Sequence, residues 1–130
     1  MNWSYHVLLP GEPRSAGHAR VFAHGVLEDH ELSRLRGDVS LVVGELAANA
    51  AVHARTPFVV TVSGHSTALF VRVRDLAPSA PVLRQLVGRA DDDPALGGRG
   101  LMLVEAVSTA WGVDPGPGGG KSVWAMFDLD

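Results

Sequence analysis

The apolar positions change period several times along the chain, and each change marks an element. Residues 3–9 end at Pro10-Gly11 and predict a short first strand closed by a turn. From 13 to 28, Ala16, Ala19, Val21, Phe22 and Val26 recur at helical spacing. Pro13 suits a first helical turn, and Arg14, His18 and Arg20 fall on the outward side. A longer helix is predicted over 31–54, with Leu32, Leu35, Val39, Val42, Val43, Leu46 and Ala50 as its core stripe, interrupted by Gly37 and Gly44. Segments 58–63 and 68–75 alternate, are rich in Val and Thr, and flank Gly64-His65-Ser66-Thr67, the pattern of an antiparallel hairpin. Residues 76–98 contain Pro78, Pro81 and Pro94 and read as loop around one short helix over 82–90. Helical spacing returns over 100–111 through Leu101, Val104 and Val107, with Gly112 as its stop. Residues 116–120 turn into a last strand over 122–130. There Val123, Ala125, Phe127 and Leu129 share one face, and Trp124 and Met126 take the other.

The order is therefore β, α, α, β, β, loop, α, β. It predicts an α+β fold: a two-layer α/β sandwich whose mixed, mostly antiparallel sheet is covered on one face by helices. No repeat or linker interrupts it, so 1–130 reads as a single domain.

Composition narrows the function classes. With 130 residues, 46% hydrophobic and 19% charged, the chain reads as soluble and globular, and no apolar run approaches the ~20 residues of a membrane helix. A net charge of −3 argues against direct nucleic-acid binding. There is no cysteine, the six histidines lack metal-site spacing, and no signal peptide is visible, so the cytoplasm is the expected location. Lysine occurs once, at Lys121. Eight of the fifteen glycines lie between Gly97 and Gly120, and they ask for an explanation.

Two nucleotide motifs are excluded. Gly118-Gly119-Gly120-Lys121-Ser122 lacks the earlier glycine of a phosphate-binding P-loop, since position 115 is Pro115, and it leads into a strand instead of a helix. Gly98-Arg99-Gly100 has Leu103 where the dinucleotide fingerprint needs glycine. Asp91-Asp92-Asp93 reads as a solvated loop. Gly97-Gly98-Arg99-Gly100 ahead of a helix can offer backbone N–H groups to an anion, with Arg99 as a planar donor, although such glycines more often simply make a turn. Glu45 and Asn49, four apart, share a helix face at the border of the core stripe. A carboxylate there can take a proton and an amide oxygen can ligate Mg²⁺; a solvated helix edge is the plainer alternative. His53 can point at phosphate or cover buried surface, and Asp75 at a strand end can serve a turn or accept from an exocyclic amine.

Taken together and in order, these segments resemble the Bergerat-type (histidine kinase-like) ATP-binding domain, most closely the anti-sigma-factor serine/threonine kinases. Glu45-Leu46-Ala47-Ala48-Asn49-Ala50-Ala51-Val52-His53-Ala54 resembles that family's N box. Val71-Arg72-Val73-Arg74-Asp75 is similar to the strand leading to its first glycine box, Gly97-Gly98-Arg99-Gly100-Leu101-Met102-Leu103-Val104 to the second, and Gly119-Gly120-Lys121-Ser122-Val123-Trp124 to the last. The resemblance implies ATP and Mg²⁺ as cofactors. It implies Glu45 as the catalytic base and Asn49 as the Mg²⁺ ligand, with His53 beside the phosphates and Asp75 on the adenine amine. It also implies Gly98, Arg99, Gly100, Leu101 and Met102 at the phosphate lid, Ala77 against the base, and Ser122 near adenine. The partners it implies are a sigma factor and an anti-anti-sigma factor, with Arg14 and Arg20 on the first helix as partner contacts and a homodimer through the sheet left open. One box departs from the pattern: Asp75-Leu76-Ala77-Pro78-Ser79 carries Ala77 and Ser79 where glycine is usual, and Ala disfavours positive φ. That departure supports an alternative, a partner-binding regulatory module with little or no nucleotide use and no phosphotransfer.

Overall fold

The computed structural model describes residues 2–76, 98–116 and 119–130; at 53, 54 and 98–100 it describes the backbone alone. The predicted helix over 82–90, and the sequence departure at Ala77 and Ser79, lie outside the described residues.

The described strands are β1 (Asn2–Leu9), β2 (Phe58–His65), β3 (Ala68–Asp75), β4 (Ala110–Pro115) and β5 (Lys121–Asp128). They form one sheet in the order β1-β2-β3-β5-β4, and every neighbouring pair is antiparallel. The described α-helices are α1 (Ser15–Asp29), α2 (Arg36–Asn49) and α3 (Gly98–Val107). The α+β architecture expected from the pattern is the one observed.

Alternation explains which side of the sheet is buried. Cross-strand partners share a face, so the rows Val60, Val73, Val123 and Val62, Val71, Ala125 form one apolar surface, and all six are buried. Against it pack Ala19, Ala23, Val26 and Leu27 of α1, Val39, Val42, Val43 and Leu46 of α2, and Leu101 and Val104 of α3. Each fully buried Leu or Phe here, such as Leu27, Leu46, Leu69 and Phe58, contributes about 1.5–3 kcal/mol relative to exposure. The opposite face carries Thr61, Arg72, Trp124 and Met126, all only partly buried.

Three details of the predicted elements change. Val21, counted into the stripe of α1, is 70% exposed; the buried row is Ala16, Ala19, Ala23 and Val26–Leu27, and its three alanines let α1 pack closely against α2. The helix predicted over 31–54 is divided: Glu31 turns the chain at φ 57°, a 3-10 turn (Ser33–Leu35) leads into α2, and a π-helical turn (Ala50–Ala54) follows it. Finally, α3 stops at Val107, and Trp111 and Gly112 belong to β4. Val104, Val107 and Trp111 keep helical spacing across that boundary, which is why the period concealed the strand. Among the described residues no helix is long and apolar enough to cross a membrane.

Candidate functional site

The C-terminal turn of α2 brings the first group to the sheet. Asn49 closes α2 and is buried, and Glu45, one turn earlier on the same side, is half-buried. The π-helical turn then ends at Arg55, whose φ of 56° reverses the chain, and Arg55 N–H donates to the Ala50 carbonyl at 3.2 Å. Gly11 makes this reversal possible, because a Cβ there would lie 2.5 Å from the Thr56 carbonyl oxygen.

Asp75 ends β3, 3% exposed, directly opposite Phe58 on one side and Lys121 on the other. The chain just beyond it is pinned where Leu76 N–H donates to Thr56 Oγ1 at 3.2 Å. Lys121 opens β5 after a glycine turn in which Gly116 N–H donates to the Gly120 carbonyl at 3.0 Å. Gly120 has a φ of 78°, and a Cβ on it would sit 2.5 Å from the Asp75 carbonyl oxygen, so only glycine brings β5 this close to the end of β3. The result is a buried ion pair: Lys121 Nζ donates to Asp75 Oδ2, and Lys121 is 4% exposed.

These elements enclose a small cavity lined by Leu46, Asn49, Ala50, Val73, Asp75, Lys121 and Val123. It has room for roughly one water. Asn49 Nδ2 is fully buried with no hydrogen-bond partner among the described residues. An orphaned buried amide is costly, about 1–3 kcal/mol, and asks for a ligand.

Two of the expected site residues, Asn49 and Asp75, are therefore brought together. Glu45 is adjacent through the helix but is not a wall of the cavity. Gly98, Arg99 and Gly100 form the first turn of α3, with their side chains outside the description, as is that of His53 in the π-helical turn. Leu101 is buried in the core and Met102 is 57% exposed, and neither lines the cavity. Ala77 is outside the described residues. Ser122, expected near adenine, projects from the opposite face of the sheet, paired with Arg74 and Asp114; the side chain that β5 sends into the cavity is that of Lys121. Strand parity carried that signal: with Val123, Ala125 and Phe127 inward, position 121 is inward as well. A charged residue at that position hid it from a reading of apolar alternation.

The fold, the helix-borne carboxylate and amide, and the strand-end Asp75 can now be set beside known families. The family model for the histidine kinase-like ATPase domain matches residues 9–127. This chain belongs to the histidine kinase-like ATPase family. A search among curated proteins finds no match.

Membership in the histidine kinase-like ATPase family makes nucleotide binding, with Mg²⁺ typical, the chemistry to test against these residues. The metal end fits. Turning the Asn49 amide by 180° offers Oδ1, a hard oxygen ligand, and Mg²⁺ held by one or two protein groups, nucleotide phosphates and water needs no more from the chain. No cluster of three or more His, Asp or Glu side chains that could hold a metal ion is found among the described residues. The base end does not fit as it stands, because the carboxylate is held by Lys121 and the cavity admits about one water.

Proposed function

We propose that this histidine kinase-like ATPase domain is an ATP-binding regulatory protein, an anti-sigma factor that phosphorylates a serine or threonine of an anti-anti-sigma factor. The observation that carries the reading is the buried amide of Asn49, its Nδ2 without a partner among the described residues, facing the same cavity as Asp75, with Glu45 one helical turn away. Asn49 would hold Mg²⁺, which when bound neutralises phosphate charge. Glu45, half-buried and without a hydrogen bond or ion pair among the described residues, is available to a hydroxyl on a docked protein. As the hydroxyl oxygen bonds to the terminal phosphorus and the bond to the bridging oxygen breaks, the hydroxyl proton passes to the Glu45 carboxylate and ADP leaves. The first turn of α3, with Gly98, Arg99 and Gly100, supplies backbone N–H groups for the phosphates. Arg14 and Arg20 are exposed on and beside α1, where a protein partner can reach them.

The test is transfer of labelled terminal phosphate from ATP with Mg²⁺ to a candidate anti-anti-sigma factor. Label on a serine or threonine, lost in Glu45→Ala while nucleotide binding persists, is the expected result. Undiminished labelling by Glu45→Ala overturns the base assignment. A second reading, a docking module without phosphotransfer, is favoured by one observation: the carboxylate expected to read adenine is already bound by Lys121. Partner binding unaffected by ATP, with no label transferred, would select it.

A further inference from the structure

The adenine end of the site is where the family's chemistry and this chain disagree, and Lys121 stands at the point of disagreement. The cavity has apolar walls, Leu46, Ala50, Val73 and Val123, and a carboxylate at its end. That is the arrangement that receives a flat base and accepts a hydrogen bond from its exocyclic amine. A purine ring is several times larger than the single water the cavity holds. Lys121 is one wall of this space, and its ammonium sits on Asp75 Oδ2. A lysine is rarely buried to 4% exposure without a partner, and here its partner is the group a base would use.

We propose that Lys121 gates nucleotide entry by holding the Asp75 carboxylate in the position of the base, so that a purine nucleotide binds only when the lysine side chain leaves. This inference rests on the nucleotide-binding reading of the site and names a determinant of its affinity. Two physical points give it direction. A carboxylate bonded to an ammonium is held by a charge-assisted pair at low dielectric, and a neutral amine replaces it at a disadvantage. The lysine stem has four rotatable carbons and springs from the first residue of β5, directly after a glycine turn, so departure needs side-chain rotation and no break in the sheet.

The experiment is an equilibrium titration of wild type, Lys121→Thr, Lys121→Arg and the double variant Lys121→Thr/Asp75→Asn with ATP and Mg²⁺, read by calorimetry and by the shift in melting temperature. The double variant removes both charges and keeps an acceptor for the amine, so it remains informative where Lys121→Thr alone does not fold. Lys121→Thr and the double variant are expected to bind ATP roughly tenfold or more tighter than wild type, and Lys121→Arg, which keeps the pair, no tighter than wild type. If wild type binds ATP and both threonine variants bind it equally or more weakly, the gate is overturned and the nucleotide site stands. If none binds ATP at millimolar concentration, the nucleotide reading falls and the gate with it.

Discussion

Asp75 and Lys121 stand directly opposite each other across the β3–β5 ladder, and their side chains form an ion pair buried on both sides. Removing one partner of such a pair strands the other charge, whereas replacing both is close to neutral. Asp75→Ala and Lys121→Ala are each expected to lower unfolding free energy by about 3–5 kcal/mol, and Asp75→Asn/Lys121→Met to stay within about 1.5 kcal/mol of wild type. Urea denaturation of the three variants measures this. Single losses below about 1 kcal/mol would show that the pair is not desolvated.

Asn49 offers the opposite trade between stability and function. Its Nδ2 is buried without a partner among the described residues, so Asn49→Leu, which keeps the branched shape and replaces the amide atoms with methyl groups, is expected to raise the stability of the ligand-free protein by about 1 kcal/mol. The same change should abolish the dependence of nucleotide affinity on Mg²⁺. Denaturation and titrations with and without Mg²⁺ read the two effects separately, and an Asn49→Leu protein that keeps its Mg²⁺ dependence removes Asn49 from the metal site.

Two glycines with similarly close neighbours are expected to behave differently. A Cβ on Gly11 meets the backbone of Thr56 at 2.5 Å, while a Cβ on Gly44 meets the far end of the exposed Arg20 side chain at 2.2 Å. Backbone cannot yield cheaply and a guanidinium can. Gly11→Ala should cost about 1–3 kcal/mol and loosen the turn that leads α2 into β2. Gly44→Ala should be neutral or stabilising by up to about 1 kcal/mol through helix propensity. Thermal melts of the pair decide it.

His24, between α1 and α2, has its pKa pushed below the ordinary histidine value by burial first, then by Arg36 and Arg20. Its Nε2 lies 2.6 Å from Ser40 Oγ. Because the folded state disfavours the proton, the unfolded state binds more protons below about pH 6.5, so stability is complete above that value and falls as pH drops toward the lowered pKa. Stability measured from pH 7.5 to 5 should decline less in His24→Gln than in wild type. Equal slopes would remove His24 from the acid response.

Much of this fold was legible in the sequence where one period ran unbroken. The alternation in β2, β3 and β5 and the apolar stripe of α2 needed only burial on one side to become the observed elements. The chain reversals at Glu31 and Arg55 were not legible, because positive φ at residues with ordinary side chains is imposed by tertiary packing and leaves no glycine or asparagine as a signal. Strand β4 was concealed because Trp111, its second residue, continues the helical spacing of Val104 and Val107. Within the site, Asn49 and Asp75 were visible only through their joint order with the glycine segments. Lys121 was visible as the single lysine of the chain, but its inward direction follows from counting strand parity back from Val123.

The proposed nucleotide site lies where the end of α2 meets the end of β3 and the start of β5. The most direct measurement is a backbone amide NMR titration of the wild-type protein and of Lys121→Thr with ATP and Mg²⁺ up to millimolar concentration, which also detects weak binding. Shifts concentrated at Asn49, Asp75, Gly120 and Lys121 and in the first turn of α3 are the expected result. A spectrum unchanged in both the wild type and Lys121→Thr, or shifts confined to the opposite face of the sheet around Thr61 and Trp124, would count against the site.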